Sequence, residues 1–331
     1  MKEAEIRPVD LFNRYLQLCE RDISRFFSDR SVFIGVPCPA CGSKDRRPGL
    51  TKLGFDYVTC TRCRSLYASP RPSREQLALY YLKGESVQFW STDFYRQTSE
   101  ARREKIFRPR AHLIGELDSH SPGGVFADIG AGFGILLEEV DKLDRFAAVM
   151  GIEPSAALAR DCRSKGFQII EKSVEEVRPD ELRADFLTAF EVMEHVFDPL
   201  TFLSAAASLL KPGGQILFTT LTVSGFDIQV LWEASKSVHP PHHLNLLSVE
   251  GMEQLVERAG LRLVDLSTPG QLDVDIVANM QAEVPGLPLP RFVEYLLEAR
   301  GPETRQAFQS FLVANRLSSH IRVVARSRAT V

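Results

Sequence analysis

Apolar and polar positions alternate in blocks along the second half of the chain, and the blocks predict strands separated by helices. Short apolar runs rich in β-branched and aromatic residues occur at 125–129, 147–152, 167–170, 186–190, 215–219, 261–267 and 321–325. The segments between the first five runs are long enough for crossover helices. The pattern predicts an α/β fold whose mostly parallel sheet carries helices on both faces. Such sheets bind ligands outside the carboxyl ends of their strands.

The N-terminal third of the chain has a different pattern. Residues 1–30 carry apolar side chains at helical spacing, residues 31–70 are broken by Cys, Gly and Pro, and residues 74–118 are predicted to be mostly helical. Ser73 is a candidate N-cap. We divide the chain into an N-terminal helical segment (1–35), a cysteine module (36–70), a helical linker or substrate cover (71–118) and an α/β domain (119–331). Within that domain, the pattern of residues 292–314 is amphipathic and predicts helical structure, as an insertion before the last strand or a dimer surface.

Four of the six cysteines form two C-x-x-C pairs, Cys38 with Cys41 and Cys60 with Cys63, with 18 residues (42–59) between the pairs. Two such knuckles can bring four thiolates to one tetrahedral zinc ion. The spacing predicts a small zinc ribbon in which Zn²⁺ supports folding, because a closed site leaves no coordination position for catalysis. Redox pairs are the alternative, although nothing nearby suggests a thioredoxin-like unit.

Charge and composition narrow the function classes. The chain has 40 Lys and Arg against 43 Asp and Glu, so it gives no overall electrostatic case for nucleic-acid binding. Residues 44–74 nevertheless contain eight basic and two acidic residues. That excess could offset zinc thiolates, bind phosphates, or form a solvated surface. The first ten residues lack the apolar core of a secretory signal, and the apolar run at 199–210 is too short to span a membrane. We therefore expect a cytoplasmic protein.

A glycine-rich loop follows the first predicted strand of the α/β domain, with the sequence DIGAGFG at 128–134. Alternate glycines allow a tight turn and a close approach to a ligand. A dinucleotide fingerprint would read G-x-G-x-x-G, and Ile135 occupies the place of its third glycine. Asp128 would repel a pyrophosphate but suits a cationic or zwitterionic ligand. Glu153 follows the second strand, 25 positions after Asp128 (153 − 128), where a ribose-binding acid is expected.

A cluster of acids and a histidine follows the fourth strand, with the sequence EVMEH at 191–195. If a helix begins here, Glu191, Glu194 and His195 share one face. His195 is then a candidate general base beside two candidate catalytic carboxylates. Alternatively, the three side chains hold a hard divalent ion together with later histidines, or they only orient the backbone and cap a helix. His242 and His243 lie in a Pro-Pro-His-His loop that forms either a substrate wall or a rigid connection.

Five stretches make residues 120–330 resemble class I S-adenosylmethionine-dependent methyltransferases: VFADIGAGFG, MGIEPS, ADFLTAFEVMEHVFDP, LKPGGQILFTT and HHLNLLSVEGMEQLVERAG. The resemblance implies a Rossmann-like, seven-stranded sheet and S-adenosylmethionine as cofactor. The cofactor-binding residues that it implies are Asp128, Gly130, Ala131, Gly132 and Gly134 around the methionine part, Glu153 at the ribose, Ser173 and Val174 at the adenine, and Phe190 with Glu191 near the sulfur. Family members often have Asp where Ser173 stands.

Two further resemblances concern the acceptor. Glu-x-x-Glu-His with a later His is similar to metal-dependent small-RNA 2′-O-methyltransferases and ubiquinone-type O-methyltransferases, which implies a divalent metal at Glu191, Glu194 and His195. The segments CPAC, CTRC and LYASPRPSREQLALYY make the layout resemble bacterial methyltransferases with an N-terminal zinc ribbon, including sugar C-methyltransferases.

These resemblances imply a small-molecule acceptor, first a sugar or nucleotide-sugar. The short C-terminus favours O- or N-methylation over C-methylation. Two alternatives remain open. One is an RNA or protein methyltransferase that binds through the basic ribbon, and the other is a non-catalytic scaffold that binds S-adenosylmethionine.

Overall fold

The computed structural model describes residues 6–118 and 123–328. Its N-terminal part begins with helix α1 (Val9–Phe26) and continues with a small antiparallel sheet, whose strands are β1 (Arg46–Lys52), β2 (Phe55–Cys60) and β3 (Leu66–Ala68). Four helices follow: α2 (Arg74–Lys83), α3 (Glu85–Phe89), α4 (Tyr95–Arg102) and α5 (Arg108–Leu117), with single π-helical turns at Trp90–Phe94 and Arg103–Phe107. The helices predicted on both sides of the cysteine module are confirmed.

The α/β domain follows with eight strands and the helices between them. The strands are β4 (Gly124–Ile129), β5 (Phe146–Ile152), β6 (Gln168–Ile170), β7 (Ala184–Phe190), β8 (Leu210–Leu221), β9 (Asn245–Leu246), β10 (Leu261–Ser267) and β11 (His320–Ser327). The helices are α6 (Ile135–Asp141), α7 (Ala156–Ser164), α8 (Pro199–Ser208), α9 (Phe226–Leu231), α10 (Val249–Arg258), α11 (Asp273–Glu283), α12 (Arg291–Ala299) and α13 (Pro302–Ala314).

Seven of these strands form the main sheet, in the order β10-β11-β8-β7-β4-β5-β6. Strands β4 to β8 pair in parallel, whereas β11 is antiparallel to both of its neighbours. All seven predicted strands are confirmed, with ends that differ by a few residues. The central strands are buried on both faces: Leu187 and Phe218 pack on one side, Phe126 and Phe186 on the other.

Local sequence sets several helix starts. Ser73 and Gln76 form a capping box at α2, which confirms the predicted cap. At α8 the Asp198 carboxylate accepts hydrogen bonds from the main-chain N–H groups of Leu200 and Thr201. Pro199 occupies the first turn of this helix, where a missing N–H costs nothing.

The remaining strand, β9, belongs to the small sheet and not to the large one. It pairs with β3, so the small sheet has the order β1-β2-β3-β9. Strand β9 follows the Pro-Pro-His-His loop directly along the chain. The cysteine module therefore shares a hydrogen-bonded sheet with a segment of the α/β domain.

The helical structure predicted for residues 292–314 is confirmed, and it consists of two helices, α12 and α13. The break lies at Arg300 and Gly301, which are extended, because the residue before Pro302 is biased away from helical angles. Helix α11, which precedes them, was not predicted. Among the described residues no helix combines the length and apolar character that crossing a membrane requires.

Candidate active site and cysteine centre

The glycine loop lies between the carboxyl end of β4 and the start of α6. Gly130, Gly132 and Gly134 have φ angles of 77°, 54° and 71°, which side-chain-bearing residues rarely adopt. A Cβ atom on Gly134 would also lie 2.9 Å from the Sγ atom of Cys162. The loop is thus tight for stereochemical reasons, as the sequence predicted.

Asp128 ends up buried beneath this loop, with 5% of its surface exposed. Its carboxylate accepts a hydrogen bond of 2.6 Å from the Thr188 hydroxyl. Burial raises the pKa of Asp128 to about 7, although Thr188 and the nearby Arg110 act in the opposite direction. A buried acid in this place favours a cationic group close by.

The titration of Asp128 predicts a pH effect on stability. A carboxyl whose pKa is raised on folding costs stability once it ionises, and the cost is absent below its unfolded pKa. Without ligand, ionisation of Asp128 should therefore lower the unfolding free energy between about pH 4 and pH 7, by up to about 1.4 kcal/mol per pH unit. Urea unfolding should show that the stability of Asp128→Asn, relative to that of the wild type, rises over this range. Equal slopes for the two proteins would contradict this prediction.

Glu153 is held by two main-chain donors. Its Oε2 atom accepts from the Gly132 N–H and its Oε1 atom from the Ser155 N–H, both at 2.9 Å. The carboxylate is 6% exposed and joins the end of β5 to the glycine loop. Each oxygen keeps a lone pair, so Glu153 can still accept two hydroxyl donors in a fixed geometry.

The predicted adenine-binding residues follow β6, which pairs with β5. The Ser173 hydroxyl donates to the Glu176 carboxylate at 2.8 Å and caps a short 3₁₀ turn, Val174–Glu176. The Val174 side chain is buried. The structure places both residues on the same edge of the sheet as Glu153, and their contact with adenine stays a prediction.

The structure has no helix at residues 191–195. These residues form a bend and a turn, and Glu191 has a left-handed φ of 56°. The helix starts only at Pro199, where Asp198 supplies the cap. Because the segment is not helical, the two acids and His195 do not share a helix face, and they divide into two groups.

Glu191 belongs to the first group. Its Oε1 atom lies 2.9 Å from Arg110 Nη2, 2.7 Å from His320 Nε2 and 2.5 Å from Thr219 Oγ1. These neighbours hold the pKa of Glu191 well below its usual value against the effect of burial. The Arg110 guanidinium also lies over the Phe190 ring, 4.3 Å from its centroid. Arg110 and His320 are site residues that the sequence did not reveal, since both are remote from every motif.

Glu194, His195 and His243 form the second group, and their potential ligand atoms all lie within 4.8 Å of one another. Glu191 is not part of this group. Burial raises the pKa of Glu194 to about 8, and its Oε2 atom accepts from the Thr220 hydroxyl at 2.7 Å. Burial also lowers the pKa of His195 to about 4. The Nδ1 atom of His195 is buried and has no hydrogen-bond partner among the described residues.

The Pro-Pro-His-His loop (residues 240–243) lies against this group. The rings of His195 and His243 are 5.0 Å apart and those of His195 and His242 are 6.0 Å apart, measured between centroids. The ring of Tyr15, from α1, lies 5.5 Å from His242, and Tyr81, from α2, lies 6.0 Å from it. The structure thus brings His195, His242 and His243 together, as predicted. Aromatic rings from the N-terminal helices lie beside them.

Arg71 connects the cysteine module to this site. It is completely buried, and burial lowers its pKa to about 10. Its guanidinium donates to the carbonyls of Ala68 (2.9 Å) and Phe197 (2.8 Å) and to the Asn245 side chain (3.0 Å). Asn245 in turn donates to the carbonyl of Val196 at 2.7 Å. The Arg71 cation therefore fixes the relative positions of β3, β9 and residues 191–197, which we call the acid-histidine turn.

Replacing Arg71 tests this connection. Lysine keeps the charge but cannot reproduce the planar set of donors. We expect Arg71→Lys to lose about 2 kcal/mol of unfolding free energy, because buried carbonyls lose their partners. Thermal or urea unfolding measures the loss, and Arg47→Lys, at an exposed position of β1, is the control. A change no larger than that of the control would show that Arg71 does not hold these segments.

The four paired cysteines form one centre. The Sγ atoms of Cys38, Cys41, Cys60 and Cys63 all lie within 4.8 Å of one another, and none of the four is in a disulfide. Each knuckle closes through a main-chain hydrogen bond, from Gly42 N–H to the Cys38 carbonyl (2.8 Å) and from Arg64 N–H to the Cys60 carbonyl (3.0 Å). Four clustered sulfurs suit a tetrahedral zinc ion. The predicted cluster is confirmed and is compatible with a zinc ribbon.

Comparison with known proteins decides the family. The profile of a methyltransferase domain family matches residues 99–266, just over half of the chain. This chain belongs to the methyltransferase domain family.

Relatives of this methyltransferase share a name. The ubiquinone biosynthesis O-methyltransferase of Bradyrhizobium sp. (strain ORS 278) is 42% identical over 100 residues, which cover 28% of this chain and 38% of that protein. That of Xanthomonas axonopodis pv. citri (strain 306) is 29% identical over 158 residues, which cover 44% and 65%. The methyltransferase thus spans less than two thirds of the length of either relative.

Among solved structures, the methyltransferase is similar to a chain of a Haloferax volcanii complex between a methyltransferase activator and a methyltransferase. The two are 15% identical, with a TM-score of 0.50, over 72% of this chain and 96% of that chain. This likeness concerns the fold alone and agrees with the Rossmann-like, seven-stranded sheet.

Proposed function

We propose that this methyltransferase transfers the methyl group of S-adenosylmethionine to a hydroxyl group of a small molecule. The observation that carries the proposal is the position of the acid-histidine turn, which directly follows strand β7 beside the glycine loop. Methyl transfer from a sulfonium is a displacement that depends mainly on alignment, whereas an oxygen acceptor must also lose a proton. The clustered histidines His195, His242 and His243 provide acceptors for that proton.

The polar groups around the glycine loop suit the charges of S-adenosylmethionine. Glu153 offers its two remaining lone pairs to the ribose hydroxyls, and the buried Asp128 favours a cationic group. Arg110 is the nearby cation, and the amino-acid part of the cofactor carries a carboxylate for it. In the absence of ligand Arg110 pairs with Glu191, so we expect it to exchange partners when the cofactor binds.

We propose a sugar or nucleotide-sugar as the first candidate acceptor. This proposal rests on the resemblance of the whole chain to bacterial methyltransferases with an N-terminal zinc ribbon. A second candidate is a hydroxylated aromatic ring. The rings of Tyr15 and Tyr81 beside His242 favour it, since flat aromatic faces stack well on such walls. The curated relatives, which are named for ubiquinone biosynthesis, also favour it. O-methylation is common to both candidates.

His195 is the base that the sequence proposed, and its partnerless Nδ1 atom fits that role. The His195 ring also belongs to the group with Glu194 and His243. The Nδ1 atom of His243 lies 2.7 Å from the Ser237 carbonyl, which can only accept, so its lone pair is at Nε2. One carboxylate and two imidazole nitrogens can hold a divalent cation, which would polarise an acceptor hydroxyl. Full activity of a metal-free preparation would exclude that cation.

A methylation assay with the full chain tests the proposal. S-adenosylmethionine labelled in the methyl group is offered with UDP-glucose, 3,4-dihydroxybenzoate or total RNA, and calorimetry measures binding of S-adenosylhomocysteine. We expect binding of S-adenosylhomocysteine and transfer of label to one of the two small hydroxyl compounds. Transfer to RNA alone would support the macromolecular alternative. Binding without transfer to any of the three would support the scaffold alternative.

A further inference from the structure

Two aspartates are buried side by side between α9 and the helices α11 to α13. Asp227 lies in the first turn of α9, and Asp273 is the first residue of α11. They are 0% and 1% exposed, and their carboxyl groups are close enough to share a hydrogen bond. Neither carboxyl group has an ion-pair partner among the described residues. Two negative charges at this place would repel each other strongly, because the interior screens them poorly.

The hydrogen bonds of Asp273 suit an ionised carboxylate. Its Oδ1 atom accepts from the Ser319 main-chain N–H at 2.7 Å, and its Oδ2 atom accepts from the Ser318 hydroxyl at 2.6 Å and from the Gln309 side-chain amide at 2.8 Å. The Oε1 atom of Gln309 accepts from the Val274 N–H at 3.1 Å, which fixes the amide nitrogen as the donor to Asp273. Three donors on two oxygens identify Asp273 as the charged member of the pair.

Asp227 has the opposite surroundings. Both of its carboxyl oxygens are buried, and as a carboxylate it finds no hydrogen-bond donor in acceptable geometry among the described residues. A buried charge without a partner is far more costly than a neutral acid. A proton on Asp227 removes this charge and supplies a donor to Asp273. Burial and then the charge of Asp273 raise the pKa of Asp227 to about 8, although the nearby Ser319 and Ile228 act in the opposite direction.

The other charged residues on the elements around Asp227 are exposed or have partners of their own. The partnered ones are Lys236 with Glu283, Arg316 with Glu253, His320 with Glu191, and Arg305, which donates to the Leu297 carbonyl. Glu233, after α9, and Asp275, on α11, are exposed. The charged group that acts on Asp227 is therefore Asp273.

Asp273 also holds the segment that leads into the candidate active site. Ser319, whose N–H binds Asp273, directly precedes His320, and His320 Nε2 lies 2.7 Å from Glu191 Oε1. The Ser319 carbonyl accepts from the Thr222 N–H at 2.8 Å, so this segment is held from both sides. A displacement of Asp273 would therefore move the residue that contacts Glu191.

We infer that Asp227 is protonated in the folded protein and that its pair with Asp273 is a positioning device for His320. When the proton leaves to water, repulsion between the two carboxylates displaces Asp273 from the start of β11. Glu191 then loses a partner, which matters most once Arg110 has turned to the cofactor. The affinity for S-adenosylmethionine falls as a result. This last step rests on the proposed function, whereas the proton on Asp227 does not.

Infrared spectra of the full chain test the proton directly. Protonated carboxyl groups have their own C=O stretching band, and the difference between the wild type and Asp227→Asn isolates that of Asp227. We expect the wild type to show this band at neutral pH and to lose it as the pH rises through about 8. Asp275→Asn, at an exposed position of α11, is the matched control and should retain the whole band. Absence of the band from the wild type would overturn the inference.

Unfolding measurements give a second test. Asparagine at position 227 still donates to Asp273 but cannot ionise. A carboxyl whose pKa is raised on folding costs stability as it ionises, so the wild type should lose stability relative to Asp227→Asn by up to about tenfold in the unfolding constant per pH unit between about pH 4 and pH 8. A constant difference would contradict the inference. Wild-type stability that depends on added Ca²⁺ or Mg²⁺ would also overturn it, because a cation would then take the place of the proton.

Calorimetry with S-adenosylhomocysteine tests the link to His320. Relative to the Kd of Asp227→Asn, we expect the wild-type Kd to rise at least about fivefold between about pH 7 and pH 9, in the range of coupling between separate sites. Asp275→Asn should follow the wild type. A constant ratio of the two Kd values would overturn the positioning role. If the wild type does not bind S-adenosylhomocysteine at any pH, the proposed function fails, and the infrared spectra still decide the proton.

Discussion

Replacing Cys60 by serine is expected to remove the proposed zinc ion, the ordered ribbon and activity together. The four Sγ atoms of the ribbon all lie within 4.8 Å of one another, as four ligands of one ion would. Without the Cys60 thiolate, the second C-x-x-C pair keeps only one of its two ligands, and the tetrahedral site is incomplete. Loss of a structural metal ranks among the largest effects of single substitutions, about 4–5 kcal/mol of unfolding free energy. We expect a comparable loss when a chelator removes the metal. Elemental analysis and denaturant unfolding measure both effects.

The effect should reach the candidate active site because the ribbon is hydrogen-bonded to the segments that form it. Strand β3 pairs with β9, the Tyr57 hydroxyl donates to the His243 carbonyl at 2.8 Å, and Ser248 caps α10 while contacting the Cys63 carbonyl. Cys19→Ala is the matched control, since Cys19 is also buried but lies outside the cluster. It should keep its zinc and most of its activity. A zinc-free Cys60→Ser protein with unchanged methyl transfer would show that the ribbon does not support the candidate active site.

Patterns of residues that are close together in the sequence were enough to predict much of this structure. Apolar runs predicted the seven strands of the main sheet, because its central strands are parallel and buried on both faces and therefore read as nearly continuous apolar sequence. The glycine loop and the cysteine knuckles were predictable for a related reason. Each depends on residues close together in the chain whose stereochemistry or ligand chemistry few other residues can supply.

The features that local patterns missed depend on contacts between distant segments. Nothing near Arg110 or His320 indicates that both reach Glu191, and nothing near Arg71 indicates that it lies buried among carbonyls. The conformation of residues 191–195 could not be predicted from the sequence for the same reason. Spacing alone suggested a shared helix face, but Glu191 adopts a left-handed conformation and tertiary partners fix its side chain. The roles of the acid-histidine residues in catalysis stay predictions that the assays above address.

Glu153→Gln is expected to weaken binding of S-adenosylmethionine about a hundredfold. The carboxylate already accepts from the main-chain N–H groups of Gly132 and Ser155, and its remaining lone pairs are proposed to accept from the two ribose hydroxyls. An amide keeps one acceptor oxygen but turns the other position into a donor, so one main-chain N–H and one ribose hydroxyl lose their partner. Hydrogen bonds to charged groups contribute about 1.5–3 kcal/mol, and about 2.8 kcal/mol corresponds to a hundredfold change in Kd.

Calorimetry with S-adenosylhomocysteine measures this change without an acceptor. Glu171→Gln is the matched control, because Glu171 follows β6 near the same edge of the sheet but pairs with Arg163 on the surface. The control should bind like the wild type. Since Glu153 also ties β5 to the glycine loop, its variant should lose some stability, and unfolding measurements separate that loss from the loss of affinity. A folded Glu153→Gln protein with the wild-type Kd would place the ribose elsewhere, and the assignment of the cofactor site to this loop would then be wrong.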